Sequence, residues 1–374
     1  MKSVITKKQI VITAALCLLA SAQASAKEIL VAQVAAFTGA QASSGKAIRA
    51  GINLYLNHVN SSGGIAGDHI RLVTYDDGYK AEETVRLVKE ILGKQAPLAF
   101  VGVLGTANNE AIIKDGILAH ANVPLVGAIS GASTMLGAPN VYVTKASYAD
   151  EVRRLFEILS LIGINRVAVV YQDDGFGKDI VTGAERAAPV TRVNLVVKAP
   201  YERNTTNVQS AVQAVLKSDA QVIYLGAVTS AAVEFIKQYR RAGGTAQVYG
   251  VSVIDINGMK KGLSPEELTG YAFGVLWPLT TSRTLQMTRE YQQLAKEAKD
   301  PDLAERSMEG YIAAKVLVQG LRQTRSSPAA LSKAVGGMKG VDIGGFLIDF
   351  TRPKQTGSQY VDFAIVNKSG SILQ

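Results

Sequence analysis

Short apolar runs alternate with amphipathic segments along most of the chain. Ile29–Val34, Ile70–Tyr75 and Leu98–Val103 have the length and aliphatic content of buried strands. Between the first two runs, apolar residues that include Ile48 and Ile52 recur on one face at helical spacing. Because helices of this length separate the strands, the pattern predicts right-handed crossovers and a parallel sheet.

The same alternation occurs a second time after Ala146. A helix is predicted from about Ala149 to Ile162. The strands predicted after it are Arg166–Tyr171, Val193–Val197, Gln221–Gly226 and Gln247–Val251, with helices between them. Two such units in succession predict an α/β fold of two doubly wound parallel-sheet lobes in tandem.

The segment after Pro278 complicates a simple division into two halves. Helices are predicted near Leu285–Glu297, Asp302–Thr324 and Pro328–Val335. The first two are too long and too amphipathic for a linker, so we expect them to return to the first lobe. The chain then crosses between the lobes near Lys145–Tyr148, Val275–Pro278 and Phe350–Lys354. The predicted division is 27–146 plus 278–351 for lobe 1 and 147–277 plus 352–374 for lobe 2.

The N-terminal residues 1–26 have the pattern of a secretory signal peptide. Three lysines precede an apolar run at Ile10–Ala20, and Ala24–Ala26 has the small residues that signal peptidase accepts. Cys17 could instead carry a lipid, although Leu16 precedes it where lipoprotein signals have a small residue. No other segment is long and apolar enough to span a membrane. We therefore expect an exported, soluble protein.

Composition and charge exclude several classes of function. With 374 residues, 47% of them hydrophobic and 19% charged, the chain can form large cores. Its net charge of +9 is scattered and mixed with acids, unlike the clustered basic patches that bind nucleic acid. The single cysteine excludes a four-cysteine zinc site or an iron–sulfur site, and the three histidines lack metal-ligand spacing. We expect no metal and no other cofactor.

Catalytic signatures are also missing from the sequence. Gly39–Lys46 departs from a phosphate loop in its spacing, and Ala47 replaces the required Ser or Thr. No Gly-x-Gly-x-x-Gly motif follows a strand, which argues against dinucleotide binding. Gly131–Met135 and Gly250–Ile254 both lack the closing glycine of a nucleophile elbow. These observations favour a binding protein over an enzyme.

Several motifs spread over the chain together resemble a known family. They are Asn60–Gly67, Arg71–Tyr79, Gly102–Thr106, Val123–Gly127, Ala146–Tyr148 and Tyr171–Gly177. In this order and spacing they resemble the leucine/isoleucine/valine-binding, type I periplasmic solute-binding proteins of ABC importers. The resemblance implies a two-lobed periplasmic receptor that closes on a small solute and delivers it to a membrane permease.

Candidate ligand contacts follow from the fold and from the resemblance. Ligands of parallel α/β sheets bind beyond the carboxyl ends of the strands, where helix N-termini suit a carboxylate. The hydroxyl of Thr106 can cap the helix it opens or bond a ligand, and the resemblance places it at the ligand carboxylate. The resemblance also gives Phe176 as an aromatic cover over the ligand. The candidate ligand-binding residues are Ser44, Tyr79, Gly105, Thr106, Ile129, Ser130, Gly131, Tyr148, Phe176, Ala227, Val228, Ser252 and Asp255.

Ser252 is the most informative departure from the family pattern. Amino-acid binders of the family have an acidic residue at about this position, where it pairs with the ligand ammonium. A buried ammonium without a counter-charge is costly, so Asp255 must substitute or the ligand lacks an α-ammonium. The expected ligand is therefore an amino acid or a branched or aromatic carboxylate.

Two other functions stay open on the sequence alone. The same fold would serve a ligand-sensing receptor subunit for a signalling partner. An exported hydrolase is a third hypothesis, and the missing nucleophile and metal motifs argue against it.

Overall fold

The computed structural model describes residues 27–354 and 356–374. The predicted signal peptide, with Cys17, lies outside the described residues. The first sheet is entirely parallel, with the strand order β2-β1-β3-β4-β5. Its strands are β1 (Glu28–Ala35), β2 (His69–Asp76), β3 (Ala99–Val101), β4 (Leu125–Val126) and β5 (Val141–Tyr142).

Helices follow the strands of the first sheet and differ from the prediction at two places. They are α1 (Ala42–Ser61), α2 (Ala81–Lys94), α3 (Thr106–Asp115) and α4 (Ile117–Ala121). The sequence predicts one helix between β3 and β4, from about Ala107 to His120, whereas the structure has two, because Gly116 adopts a left-handed conformation with φ 73° and ends α3. The sequence offers Ser43 or Ser44 as the cap of α1, but the helix begins at Ala42, so both serines lie inside its first turn and neither caps it.

The second sheet repeats the arrangement in the middle of the chain. Its helices are α5 (Tyr148–Leu161), α6 (Gly175–Thr191), α7 (Gln209–Leu216), α8 (Thr229–Arg241), α9 (Ile256–Gly262) and α10 (Pro265–Leu268). Its parallel strands are β6 (Arg166–Gln172), β7 (Asn194–Tyr201), β8 (Val222–Gly226), β9 (Gln247–Gly250) and β10 (Ala272–Val275). β8 is buried along its whole length, as expected for a central strand with helices on both faces.

The remaining segment contributes to both lobes. Its helices and strands are α11 (Gln286–Ala298), α12 (Ser307–Gln323), α13 (Pro328–Gly336), β11 (Val341–Asp342), β12 (Leu347–Ile348), β13 (Asp362–Val366) and β14 (Ile372–Leu373). α12 packs on α1 at very short range. A Cβ on Gly51 would lie 1.8 Å from the Ser307 carbonyl oxygen, and one on Gly310 would lie 2.0 Å from that of Ile48. The two glycines therefore allow the helices to touch backbone to backbone.

The second sheet is mixed, which corrects the expectation of a purely parallel lobe. β13 pairs antiparallel with β10, and β14 pairs antiparallel with β13. The chain returns from the first lobe beside the end of β10, since Asp362 lies opposite Val275. A strand that starts at that end without a crossover helix has to run in the opposite direction.

The chain passes between the two sheets in segments 143–147, 276–285 and 349–361. Gly357 N donates to the Val143 carbonyl at 2.7 Å and ties the first segment to the third, whereas Trp277 Nε1 of the second segment donates to the Glu305 carbonyl just before α12 at 3.1 Å. The predicted boundaries between the two lobes stay a prediction. Within residues 27–354 and 356–374, no helix has the length and hydropathy needed to cross a membrane.

Candidate ligand site between the lobes

A small cavity lies between the lobes at the carboxyl ends of the strands. Its volume is about 10 Å³, which is about the space of one water molecule. The lining residues are Gln41, Tyr79, Leu104, Gly105, Thr106, Ile129, Tyr148, Phe176 and Val253. Thr106 follows a strand of the first sheet, whereas Phe176 and Val253 follow strands of the second sheet. The two lobes thus meet across this cavity.

Two hydroxyl groups form the polar end of the cavity. The Oγ atoms of Thr106 and Ser130 share a hydrogen bond at 2.8 Å, and Ser130 Oγ also accepts from Ala132 N at 3.2 Å. The N-cap residue of α3 is Gly105, and no side chain caps this helix. The Thr106 hydroxyl therefore bonds across to Ser130, and the expectation that it might cap α3 is wrong.

The N-terminus of α3 adds positive character to the same wall. The first backbone N–H groups of an α-helix have no partner inside the helix, and the helix dipole is positive at that end. Gly105 has φ 106°, and a Cβ there would lie 2.6 Å from Tyr79 Cε2 and 2.7 Å from Asn108 Oδ1. Only glycine therefore fits between Tyr79 and the start of α3.

Two aromatic side chains complete the wall of the cavity. The rings of Tyr148 and Phe176 meet edge to face, with centroids 5.2 Å apart. Phe176 lies in the first turn of α6, where Asp174 Oδ1 accepts from Phe176 N at 3.0 Å and from Gly177 N at 3.3 Å. This N-cap fixes the backbone that carries the Phe176 ring. Burial raises the pKa of the Asp174 carboxyl, while its bond from Gln172 opposes the rise.

Six predicted site residues line the cavity: Tyr79, Gly105, Thr106, Ile129, Tyr148 and Phe176. Ser130 lies directly behind them through its bond to Thr106. Packing requires a glycine at position 131, because a Cβ on Gly131 would lie 2.9 Å from Tyr148 N.

The other predicted residues do not belong to the lining. Ser44 is buried in α1, and its Oγ has no hydrogen-bond partner among the described residues; Gln41 lines the cavity in its place. Ala227 and Val228 are buried, and Val228 N donates to Tyr201 OH at 3.0 Å. They stay predictions as ligand contacts.

Asp255 is engaged in a helix cap. Its Oδ1 accepts from Asn257 N at 3.4 Å, and its Oδ2 accepts from Gly258 N at 2.9 Å, which makes it the N-cap of α9. Both carboxylate oxygens are thus used by the backbone of α9. The geometry gives no support to the expectation that Asp255 takes the place of the missing acid at Ser252.

Ser252 contacts an acid that the sequence did not reveal. Glu151 Oε1 accepts from Ser252 N at 2.7 Å, and Glu151 Oε2 accepts from Ser252 Oγ at 2.8 Å. Glu151 is fully buried, and burial raises its pKa to about 7 although the Ser252 bonds favour the charged form. In the sequence Glu151 looks like an ordinary acid in the first turn of a helix, which is why it went unnoticed.

Further buried charges lie beside Glu151. Lys145 Nζ is 2.9 Å from Glu309 Oε1, and Arg306 Nη1 is 2.8 Å from Glu309 Oε2. Arg306 Nη1 also donates to the Ser252 carbonyl at 2.9 Å. All three ionic side chains are at most 3% exposed. We call Lys145, Glu151, Arg306 and Glu309 the hinge cluster, since they join the first crossing segment, α5 and the start of α12.

No local pattern marks the hinge cluster in the sequence. Its members come from separate parts of the chain, and only the fold brings them together. Burial lowers the pKa of Lys145, and the charge of Glu309 opposes that effect. Among the residues that the structure describes, no group of three or more His, Cys, Asp or Glu side chains could hold a metal ion.

Two α/β lobes, three connecting segments and a polar–aromatic cavity between the lobes define a bilobal solute-binding protein of the type I class. The chain belongs to the periplasmic binding protein family, whose model matches residues 28–371. The resemblance identified from the sequence and the expected fold class are thereby confirmed.

Three relatives illustrate the match. A substrate-binding periplasmic protein from Ralstonia solanacearum is 37% identical in a structural alignment that covers 92% of this chain and 99% of that one, with a TM-score of 0.88. A Leu/Ile/Val-binding protein homolog 7 from Brucella suis is 23% identical over 90% of this chain and 87% of its own. A valine-bound protein of a branched-chain amino acid ABC transporter from Thermus thermophilus is 17% identical, covers 93% of this chain and 95% of its own, and shares the fold with a TM-score of 0.81.

Proposed function

We propose that this protein is the periplasmic substrate-binding component of an ABC importer, with a branched-chain amino acid or a related small carboxylate as its ligand. The observation that carries the proposal is the Thr106–Ser130 hydroxyl pair at the N-terminus of α3, beside the aromatic rings of Phe176 and Tyr148 in the interlobe cavity. The names of the relatives from Brucella suis and Thermus thermophilus support the ligand class.

The lining of the cavity indicates which parts of the ligand are recognised. None of the nine lining residues is charged, so the site offers hydroxyl and N–H donors together with aromatic and aliphatic surface. Such a site fits a carboxylate attached to an apolar body. About 8 kcal/mol of binding free energy gives micromolar affinity, and a few hydrogen bonds to a carboxylate with one buried aliphatic group supply that amount.

The two acids nearest in the chain or in space to Ser252, Asp255 and Glu151, are both engaged by other groups. Asp255 caps α9, and Glu151 accepts two hydrogen bonds from Ser252 behind the lining. An ammonium in the cavity would therefore be desolvated without a dedicated counter-charge. The proposal accordingly rests on the carboxylate and the apolar body, and an α-ammonium is not required.

A ligand must reach the cavity by separation of the lobes. With the lobes in contact, the remaining 10 Å³ is far less than the volume of any amino acid. Ligands stabilise the closed arrangement if they bind it better than the open one, and the membrane permease then recognises the closed shape.

Isothermal titration and thermal shift test the ligand class. The probes are L-valine, L-isoleucine and L-leucine, their analogues without the amino group (3-methylbutanoate, 3-methylpentanoate and 4-methylpentanoate) and phenylacetate. We expect the analogues to raise the melting temperature at least as much as the amino acids. A strong response to the amino acids with none to the analogues would reject recognition without an ammonium, and no response to either class would reject the proposed ligand class.

Uptake distinguishes import from sensing and from hydrolysis. Cells that lack the gene should lose uptake of the best radiolabelled probe, and expression of the full chain should restore it. Mass spectrometry should recover the bound probe unchanged from the purified protein. Normal uptake in the deletion strain would favour the sensing hypothesis, and conversion of the probe would favour an enzyme.

A further inference from the structure

Arg203 extends from the second lobe to the first at the edge of the cavity. It follows β7, and its Nη2 donates to the Tyr79 carbonyl at 2.8 Å and to Asn108 Oδ1 at 2.9 Å. Its guanidinium also lies over the Tyr79 ring, 4.3 Å from the centroid. Tyr79 and Asn108 belong to the first lobe, so one side chain makes three contacts across the interface.

The acceptors in the first lobe are held in place before Arg203 reaches them. Asn108 Nδ2 donates to Asp77 Oδ2 at 3.1 Å and to Thr84 Oγ1 at 2.7 Å. Thr84 Oγ1 in turn donates to Asp77 Oδ2 at 2.7 Å. Because both donors of the Asn108 amide have partners, its Oδ1 is left to face the guanidinium. Asp77, Thr84 and Asn108 are all buried.

The Tyr79 carbonyl is presented by an unusual backbone conformation. Tyr79 has φ 64°, in the left-handed region that residues other than glycine seldom adopt. Asp77 Oδ1 accepts from Tyr79 N at 2.9 Å and holds this turn. We call Asp77, Tyr79, Thr84 and Asn108 the arginine socket. Strained backbone of this kind persists where the surroundings hold it and often marks a functional contact.

The second lobe anchors the other side of the guanidinium. Arg203 Nε lies 3.1 Å from Asp174 Oδ2, and the two side chains are 19% and 10% exposed. Asp174 also caps the helix that carries Phe176. Arg203 therefore connects the segment that supports Phe176 in one cavity wall with Tyr79 in the other.

We propose that Arg203 is an interlobe latch, a positioning residue that holds the lobes together by inserting into the arginine socket and that fixes Tyr79 in the cavity wall. An arginine suits this role because its planar fork serves two acceptors and an aromatic face at once, which a lysine ammonium does not. The latch slows opening and thereby slows ligand release. The effect on release rests on the proposed function, whereas the effect on opening does not.

Distance measurement between spin labels tests the latch without any ligand. Labels are placed at the exposed positions of Lys114→Cys in α3 and Arg186→Cys in α6, on a Cys17→Ser background. Arg203→Gln should increase the population of long interlobe distances, and Arg203→Lys should give an intermediate increase. The matched control is Arg166→Gln, which removes an ion pair with Asp219 inside the second lobe and should leave the distances unchanged.

Kinetics with a ligand give the second readout. With L-valine and 3-methylbutanoate as probes, Arg203→Gln should raise the dissociation rate about tenfold or more and leave the association rate within about twofold. An unchanged distance distribution in Arg203→Gln would overturn the latch. If neither probe binds the wild-type protein, the proposed ligand class fails, and the ligand-free distances alone decide whether Arg203 is a latch.

Discussion

The cavity lining and the hinge cluster lie on either side of Tyr148, yet their chemistry is opposite. The lining contains hydroxyls, backbone N–H groups and aromatic rings but no charged side chain. The hinge cluster contains two acids and two bases that are almost completely buried. Lys145 Nζ lies 5.7 Å from the Tyr148 ring centroid, so the change from neutral to ionic occurs over the width of one aromatic ring.

This difference shows which groups are free to meet a ligand. In the hinge cluster, Glu309 lies against both Lys145 and Arg306, and Glu151 is bonded to Ser252. Thr106 lines the cavity and shares a hydrogen bond with Ser130 behind it, and each hydroxyl can turn toward a carboxylate without leaving a buried charge unpaired. We therefore expect substitutions in the hinge cluster to change stability and substitutions in the lining to change binding.

The largest expected effect is that of Glu309→Ala. The substitution leaves Lys145 and Arg306 buried without their common counter-charge, and breaking a buried ion pair in this way costs about 3–5 kcal/mol. Urea denaturation measures the loss in free energy of unfolding. The control is Glu185→Ala, which removes a half-exposed pair with Lys198 and should cost at most about 1 kcal/mol. Equal losses in the two variants would show that the hinge cluster is not effectively desolvated.

Glu151 should make stability depend on pH. Burial raises its pKa to about 7, whereas an unfolded chain releases this proton near pH 4.3. Between these values the folded protein binds more protons than the unfolded chain, so the free energy of unfolding falls as the pH rises. This difference in pKa lowers the free energy of unfolding by about 3 kcal/mol between pH 4 and pH 8.

The variant Glu151→Gln isolates this contribution from other titrating groups. The wild type should lose stability relative to the variant as the pH rises from 4 to 8, as measured by urea denaturation at each pH. A constant difference between the two proteins would show that folding does not raise the pKa of Glu151. The Ser252 bonds and the charge of Lys145 favour the ionised form, so they would then outweigh burial.

The sequence indicates most residues of the cavity lining and none of the hinge cluster. The lining residues Gly105, Thr106 and Phe176 lie a few residues beyond the ends of β3 and β6, and the ends of parallel strands are where ligands bind. The hinge cluster depends on α12 packing against α1 and on Ser252 reaching α5, which are contacts between distant segments. Periodicity along the chain contains no information about such contacts.

The prediction of the fold succeeded where it depended on local pattern, and it was wrong where it depended on contacts between distant segments. The alternation of strands and helices was enough for two doubly wound lobes, while the division of the chain between them stays a prediction. The antiparallel β13 was missed because its direction depends on where the chain re-enters the second lobe. The sequence does not decide whether the Thr106 hydroxyl caps α3 or bonds a ligand, because its hydrogen-bond partner, Ser130, is brought to it only by the fold.

Thr106→Val should mainly weaken ligand binding. The change removes a hydroxyl from the proposed carboxylate site, and a hydrogen bond to a charged group contributes about 1.5–3 kcal/mol, or a factor of about 10–100 in affinity. Titration with the better of L-valine and 3-methylbutanoate measures the loss. Thr182→Val is the matched control, since its hydroxyl bonds only the Lys178 carbonyl on the exposed side of α6. Unchanged affinity in Thr106→Val would remove Thr106 from the carboxylate site.

Asp255→Asn should have the smallest effect and tests whether the lining extends to α9. Asn caps a helix about as well as Asp, so the free energy of unfolding should stay within about 0.5 kcal/mol of the wild type. If Asp255 serves only as the cap of α9, the affinities for L-valine and 3-methylbutanoate should both remain within about twofold. A loss of affinity confined to L-valine would mean that Asp255 leaves its cap to pair with an ammonium. The lining would then acquire a charge on ligand binding, and its contrast with the hinge cluster would hold only for the ligand-free protein.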